Sequence, residues 1–203
     1  MIRTLLSTAL VSLVFAMLGC APRVKELNVA YSPIEALTKV DVKSPKGIKV
    51  EPFTDRRASD ALGEISGGGG PYGQYGSIGK YVAKADVAKI VTDAVKMELA
   101  NQGYQIIQQN EDFILSGTVL ALNGIQRHGF FGGAVEGGAQ VSFALKDRRE
   151  GRVVWSDILN GKSKAEYGVF PDIGARFEEA VNLAIKDVID KLVKSDSLRA
   201  ALR

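Results

Sequence analysis

The stretch DIGARFEEAVNLAIKDVIDKLVK, residues 172–194, carries the strongest periodic signal in the chain. Ile173, Phe177, Ala180, Val181, Ala184, Ile185, Val188, Ile189, Leu192 and Val193 recur at three- and four-residue steps and make one unbroken apolar stripe. Glu178, Glu179, Lys186, Asp187, Asp190 and Lys191 fall elsewhere on the cylinder. Asp172, immediately after Pro171, supplies an N-cap, and Ser195-Asp196-Ser197 breaks the helix at its far end. A helix with one apolar stripe must lay it against another layer, so the sequence upstream has to supply a sheet.

It does. Val141, Phe143 and Leu145 alternate with Gln140, Ser142, Ala144 and Lys146, Asp147–Gly151 reads as a turn, and Arg152 to about Lys162 returns with Val153, Val154 and Trp155. These two runs predict a hairpin. Asp112 to about Leu122 predicts a third strand, with Phe113, Leu115, Val119 and Ala121 on one face and Ile114, Leu120 and Leu122 on the other, so it is expected to lie centrally. A glycine cluster, Gly129 to Gly138, separates it from the hairpin and reads as a loop carrying Phe130-Phe131. Further back, a helix is expected from about Val82 to Gln102, striped by Val87, Ile90, Val91, Ala94, Val95 and Leu99, with Lys84, Lys89, Asp93, Lys96 and Glu98 mostly on the other side. Gly103 is the expected left-handed residue beyond it, and Tyr104–Ile107 a short strand. Gly47 opens the alternating strand Ile48-Lys49-Val50-Glu51, ended by Pro52. The glycine-rich run from Gly67 to Gly79 reads as a second loop. The order strand, helix, three antiparallel strands, helix predicts an α+β fold: a two-layer sandwich with a mainly antiparallel sheet of about four strands packed by two amphipathic helices.

The chain has 203 residues and a formal net charge of +3, with 26 Lys+Arg against 23 Asp+Glu and no block of like charge. No nucleic-acid footprint is expected from such a balance. A phosphate loop would need Ser or Thr after Lys80 and a glycine five residues before Gly79, but Tyr81 and Gln74 stand there, so no nucleotide is expected. His128 is the sole histidine and Cys20 the sole cysteine, so neither a metal centre nor a Ser-His-Asp arrangement is expected, and no cofactor. The expectation is a protein that is not an enzyme. His128 itself is expected to be solvated in its glycine loop.

The candidate contact residues are few. Asp55 with Arg57 is either a charged, hydrogen-bonded turn at a strand end or a binding pair, and the turn is the favoured reading. The glycine stretches carry Tyr72, Tyr75, Tyr81, Phe130 and Phe131, read as exposed aromatics that suit contact with a partner or lipid surface. For Phe130 and Phe131, tucking back into the core is an equal alternative.

Residues 1–20 carry a different message. Arg3 precedes an apolar run from Leu5 to Leu18, too short to span a bilayer, and Met17-Leu18-Gly19-Cys20 follows. This resembles the signal peptide and lipobox of bacterial lipoproteins, with a plain secretory signal as the alternative. The resemblance implies that residues 1–19 are removed, that Cys20 is lipidated, and that several acyl chains, each contributing about 0.8 kcal/mol per buried CH₂, hold the protein to a membrane. Ala21 and Pro22 follow the cysteine where Asp would retain such a protein in the inner membrane, so the outer membrane, facing the periplasm, is expected. Residues 20–46, with Pro22, Pro33 and Pro45, read as anchor and tether, with a short strand near Leu27–Tyr31, and residues 47–203 as a single periplasmic domain.

The lipobox, Asp55-x-Arg57-x-x-x-Ala61-Leu62, the helix ending in Gly103-Tyr104 and the C-terminal Asp196-Ser197-Leu198 together resemble the YajG-type family of small lipoproteins, over nearly the whole chain. The resemblance implies an outer-membrane lipoprotein with an envelope protein as partner. The same strand–helix plan resembles auxiliary lipoproteins of lipid or lipopolysaccharide transport systems, which makes such a subunit the alternative.

Overall fold

The computed structural model describes residues 23–34, 46–66, 76–129, 131–169 and 171–202. Cys20, Tyr72, Tyr75 and Phe130 lie outside them. The fold is α+β, but its strands form two sheets rather than one of about four strands.

The larger sheet has six strands. Its body is an antiparallel meander of three long strands, β7 (Phe113–Gly129), β8 (Gly132–Asp147) and β9 (Val153–Tyr167). Beside β7 run β2 (Gly47–Val50) and the two-residue β3 (Thr54–Asp55), both parallel to it, and β6 (Gln105–Ile106) pairs in parallel with β2. The smaller sheet places β5 (Ser77–Ala83) between β1 (Arg23–Leu27), parallel, and β4 (Ala61–Ser66), antiparallel. Among the described residues three helices complete the fold: α1 (Val87–Asn101), α2 (Ile173–Lys194) and the short α3 (Asp196–Ala201).

The expected stripe of α2 is buried from Phe177 to Val193, and Asp172 caps the helix by accepting from the Ala175 amide at 3.2 Å. Helix α1 starts at Val87, capped by Asp86, five residues later than its apolar periodicity suggested, because Val82 and Ala83 belong to β5. Gly103 takes φ 99° just past α1, as expected.

The glycines account for the largest departure. The cluster from Gly129 to Gly138 is not a loop: the 17-residue β7 turns tightly and returns along it as β8. Gly137 of this cluster, with Gly124 and Gly161 of the flanking strands, makes room for α2, which lies on the sheet by its backbone. A Cβ at Gly137 would strike the Ala180 carbonyl group, one at Gly161 the Ala184 carbonyl oxygen, and one at Gly124 would come within 2.7 Å of the Phe177 ring. Ser163 of β9 donates to the Ala180 carbonyl at 2.5 Å, a bond that needs the same close approach. The Phe177 ring stacks on Tyr81, centroids 4.6 Å apart, and covers Gly63 of β4 as well, so one side chain joins α2 to both sheets. Tyr81 is therefore 4% exposed and is no surface aromatic.

A bulge between Val119 and Ala121 reverses the inward parity of β7: Phe113, Leu115 and Val119 point to the core before it, Leu122 after it. Ala121 thus leaves the core face expected of it. Residues 23–34, expected in the tether, belong to the fold. Leu27 and Val29 are buried, and the amides of Asn28 and Ala30 donate to Glu178 and Asn182 of α2 at 2.8 and 2.9 Å. His128 lies in β7 opposite Gly133 and is exposed there.

Candidate functional site

Asp55 and Arg57 meet where β3 leaves the large sheet for β4. The two-residue strand is placed by its neighbours: the Phe53 amide donates to Thr92 of α1 at 2.9 Å, the Thr54 and Thr118 hydroxyls lie 3.1 Å apart, and the Arg56 amide donates to the Val119 carbonyl at 2.9 Å. Asp55 then accepts the Arg57 amide at 3.1 Å and its guanidinium through Nε at 3.0 Å and Nη2 at 2.8 Å. The Arg57 side chain is only 9% exposed, and its enclosed Nη1 has no hydrogen-bond partner among the described residues. The Arg57 hydrogen bond holds the Asp55 carboxyl below its ordinary range, against a smaller opposing effect of burial. Asp60 continues the row, its two oxygens each 2.8 Å from Lys80 Nζ, and Lys80 and then Arg57 keep its carboxyl low as well. The row Asp55, Arg57, Asp60, Lys80 alternates in sign, each charge beside an opposite one, with Arg57 Nη1 left over. Its geometry is that of a bidentate clamp closing the β3–β4 corner, in line with the turn reading of this pair.

A second polar centre escaped sequence reasoning. Glu98 is fully buried, although its charge suggested the outer side of α1. It accepts the Tyr31 hydroxyl at 2.7 Å, the Ile34 amide at 3.0 Å and the Asn101 side-chain amide at 3.3 Å. Burial, and then Glu98, push the Tyr31 hydroxyl far above its ordinary value. A signal was present: Glu98 stands seven residues after Val91 and three after Val95, on the apolar stripe itself. An acid at that spacing implies a buried partner, and the partner is the segment after β1.

The C-terminal motif has a structural reason. Trp155 Nε1 donates to Ser197 Oγ at 3.0 Å, Ser195 caps α3 through the Leu198 amide at 3.2 Å, and Leu198 is buried. Among the described residues no group of three or more His, Cys, Asp or Glu could hold a metal ion, and no helix is long and apolar enough to cross a membrane.

An open cleft of about 360 Å³ runs between β9 and α2 beside Ile34. Lys162, Lys164 and Lys186 share it with Asp187 and Asp190. Asp187 accepts the Lys162 amide and Lys191 Nζ, each at 2.8 Å. Burial raises its carboxyl, and those two bonds outweigh burial and hold it low. Both acids of the cleft pair with lysines further along α2, Asp187 with Lys191 and Asp190 with Lys194, and Lys164 pairs with Glu166.

Of the aromatics named from sequence, Phe131 is described and stands 79% exposed at the β7–β8 turn. Val169, just past β9, is 64% exposed near it, a residue that drew no attention in the sequence.

No protein-family model matches the chain, and no curated protein matches it. Solved structures do. Protein XCC0632 from Xanthomonas campestris, assigned to the family model DUF330, superposes with a TM-score of 0.52 at 15% identity, over 88% of this chain and 98% of that one. The hypothetical protein CT253 from Chlamydia trachomatis does so with 0.50 at 9% identity, over 78% and 96%. A minor lipoprotein from Acinetobacter baumannii reaches 0.46 at 13% identity, over 76% and 94%. At such identities the first two share this chain's fold, and the likeness extends to the fold alone.

Proposed function

We propose that the chain is a bacterial lipoprotein of the YajG type, acylated at Cys20, held in the outer membrane facing the periplasm, and acting there as a non-enzymatic binding module for an envelope protein. The observation that carries the reading is Met17-Leu18-Gly19-Cys20 after the apolar run from Leu5 to Leu18. Ala21 and Pro22 after the cysteine support the outer rather than the inner membrane. Strand β1 begins at Arg23, three residues after Cys20. Two firmly packed sheets suit a scaffold that presents a surface.

The test is fractionation of cells expressing the full chain or its Cys20→Ala variant. The unaltered protein is expected in the outer-membrane fraction and the variant outside it; equal partitioning of the two would refute the anchor. Crosslinking in cells followed by affinity purification then identifies the partner, and a transport machine among the products would favour the auxiliary-subunit alternative.

A further inference from the structure

Only two residues, Ala21 and Pro22, separate Cys20 from the first strand. Three steps of fully extended chain reach at most about 11 Å. Acylation at Cys20 therefore leaves no stand-off: Arg23 and whatever surrounds it must lie at the bilayer.

What surrounds it follows from the topology. Strand β1 runs alongside α2 from its first turn. Lys25 Nζ lies 3.6 Å from Asp172 Oδ1, and the amides of Asn28 and Ala30 reach Glu178 and Asn182 further along the helix. Arg23 thus sits at the N-terminal end of α2. The free end of the β7–β8 hairpin lies at that same end, because β9 reaches Tyr167 opposite Gly133 and only a short connection leads from there to Asp172. Tyr167 also donates its hydroxyl to the Arg127 carbonyl at 3.1 Å, tying the hairpin to β9 at this level.

This end carries Phe131 and Val169, the two most exposed large apolar side chains among the described residues. Val24 and Ile78, 56% and 42% exposed, stand near Arg23 on β1 and β5, where Arg23 pairs with Gly79. Apolar side chains so exposed are a liability in water and an asset at a headgroup boundary, where an aromatic ring is well accommodated. A covalent anchor within about 11 Å of Arg23 also raises their effective concentration at the bilayer, so contacts too weak to bind alone suffice.

We infer that this end of the molecule rests on the bilayer holding the Cys20 acyl chains, with Phe131 and Val169 entering the interface. The inference rests on the lipoprotein reading. It orients the domain: β8 rises at about 3.4 Å per residue, which puts the charged β8–β9 turn (Arg148, Arg149, Glu150 and Arg152) roughly 50 Å away from the membrane-facing tip.

The test uses the full-length, acylated protein in vesicles of phosphatidylethanolamine and phosphatidylglycerol, with and without brominated acyl chains. Acylation occupies Cys20, so Phe131→Cys, Val169→Cys and Glu150→Cys each provide a single thiol for a fluorophore. The mass of the N-terminal peptide reports acylation independently. Labels at 131 and 169 are expected to lose most of their fluorescence to the brominated lipid, and the label at 150 to keep it. Acylated protein with 131 and 169 unquenched, as a protein-covered end would give, or with all three quenched alike, would overturn the orientation and leave the anchor standing. Protein lacking acyl chains would overturn the anchor itself, and the orientation with it.

Discussion

Gly161 of β9 is where the packing of α2 can be tested most sharply. A Cβ there would overlap the Ala184 carbonyl oxygen and stand 2.7 Å from Val188 Cγ2 and 3.0 Å from the Val188 amide nitrogen. Two of these three atoms are helix backbone, which cannot rotate away as a side chain can. In Gly161→Ala the helix must lift by on the order of 1 Å over close-packed neighbours, and overpacking of this kind costs about 1–3 kcal/mol, here toward the upper end. For a domain of this size, that is a fall in Tm of roughly 6–12 °C at about 2–4 °C per kcal/mol. Two other glycines calibrate the result. Gly151→Ala meets no atom within 4 Å but sits at φ 68°, and should cost about 1 kcal/mol from backbone strain alone. Gly168→Ala meets nothing and has no such φ, and should be neutral or stabilising by up to about 1 kcal/mol. The assay is thermal and urea unfolding followed by circular dichroism. A Gly161→Ala protein as stable as Gly168→Ala would refute a helix seated on glycine.

Three further predictions follow from the polar contacts. Glu98→Ala strands the Tyr31 hydroxyl and the Ile34 amide, and is expected to cost about 2–3 kcal/mol and to remove hydrogen-exchange protection at Ile34, whereas Glu98→Gln keeps an acceptor and should cost less. Ser197→Ala leaves the indole N–H of the only tryptophan unpaired, and should destabilise by about 1–2 kcal/mol and shift Trp155 emission, which a fluorimeter reads directly. The carboxyl of Asp55 is held below its unfolded value, so its contribution is present above the unfolded pKa and is lost as pH falls through the folded one. Urea unfolding should therefore find Asp55→Asn less stable than the parent at neutral pH, and the two converging as the medium is made strongly acidic; a constant difference across that range would remove the Asp55–Arg57 pair as its cause.

The local elements were legible in the sequence because each depends on neighbours a few residues away. The stripe from Phe177 to Val193, the Asp172 cap, the left-handed Gly103 and the alternation of Val141, Phe143 and Leu145 are near-neighbour patterns, and all appear in the structure. The lipobox resemblance at Met17-Leu18-Gly19-Cys20 is likewise read from contiguous residues, and it lies outside the described residues. Asp55 and Arg57, two residues apart, could be paired on paper for the same reason.

What only the tertiary structure decided concerns groups that meet from distant parts of the chain. Glycine has no side chain to reveal what lies above it, so Gly137 and Gly161 read as loop or filler until the α2 backbone is laid across them. The charge of Glu98 argued for solvent, and only Tyr31 and Ile34, arriving from more than sixty residues earlier, make its burial tolerable. Residues 23–34 read as tether with a short strand near Leu27–Tyr31, because their partners are β5 and α2, distant in the chain, rather than one another. That docking turns the expected tether at Arg23 into strand β1, and so places Arg23 at the end of the molecule that carries Phe131 and Val169.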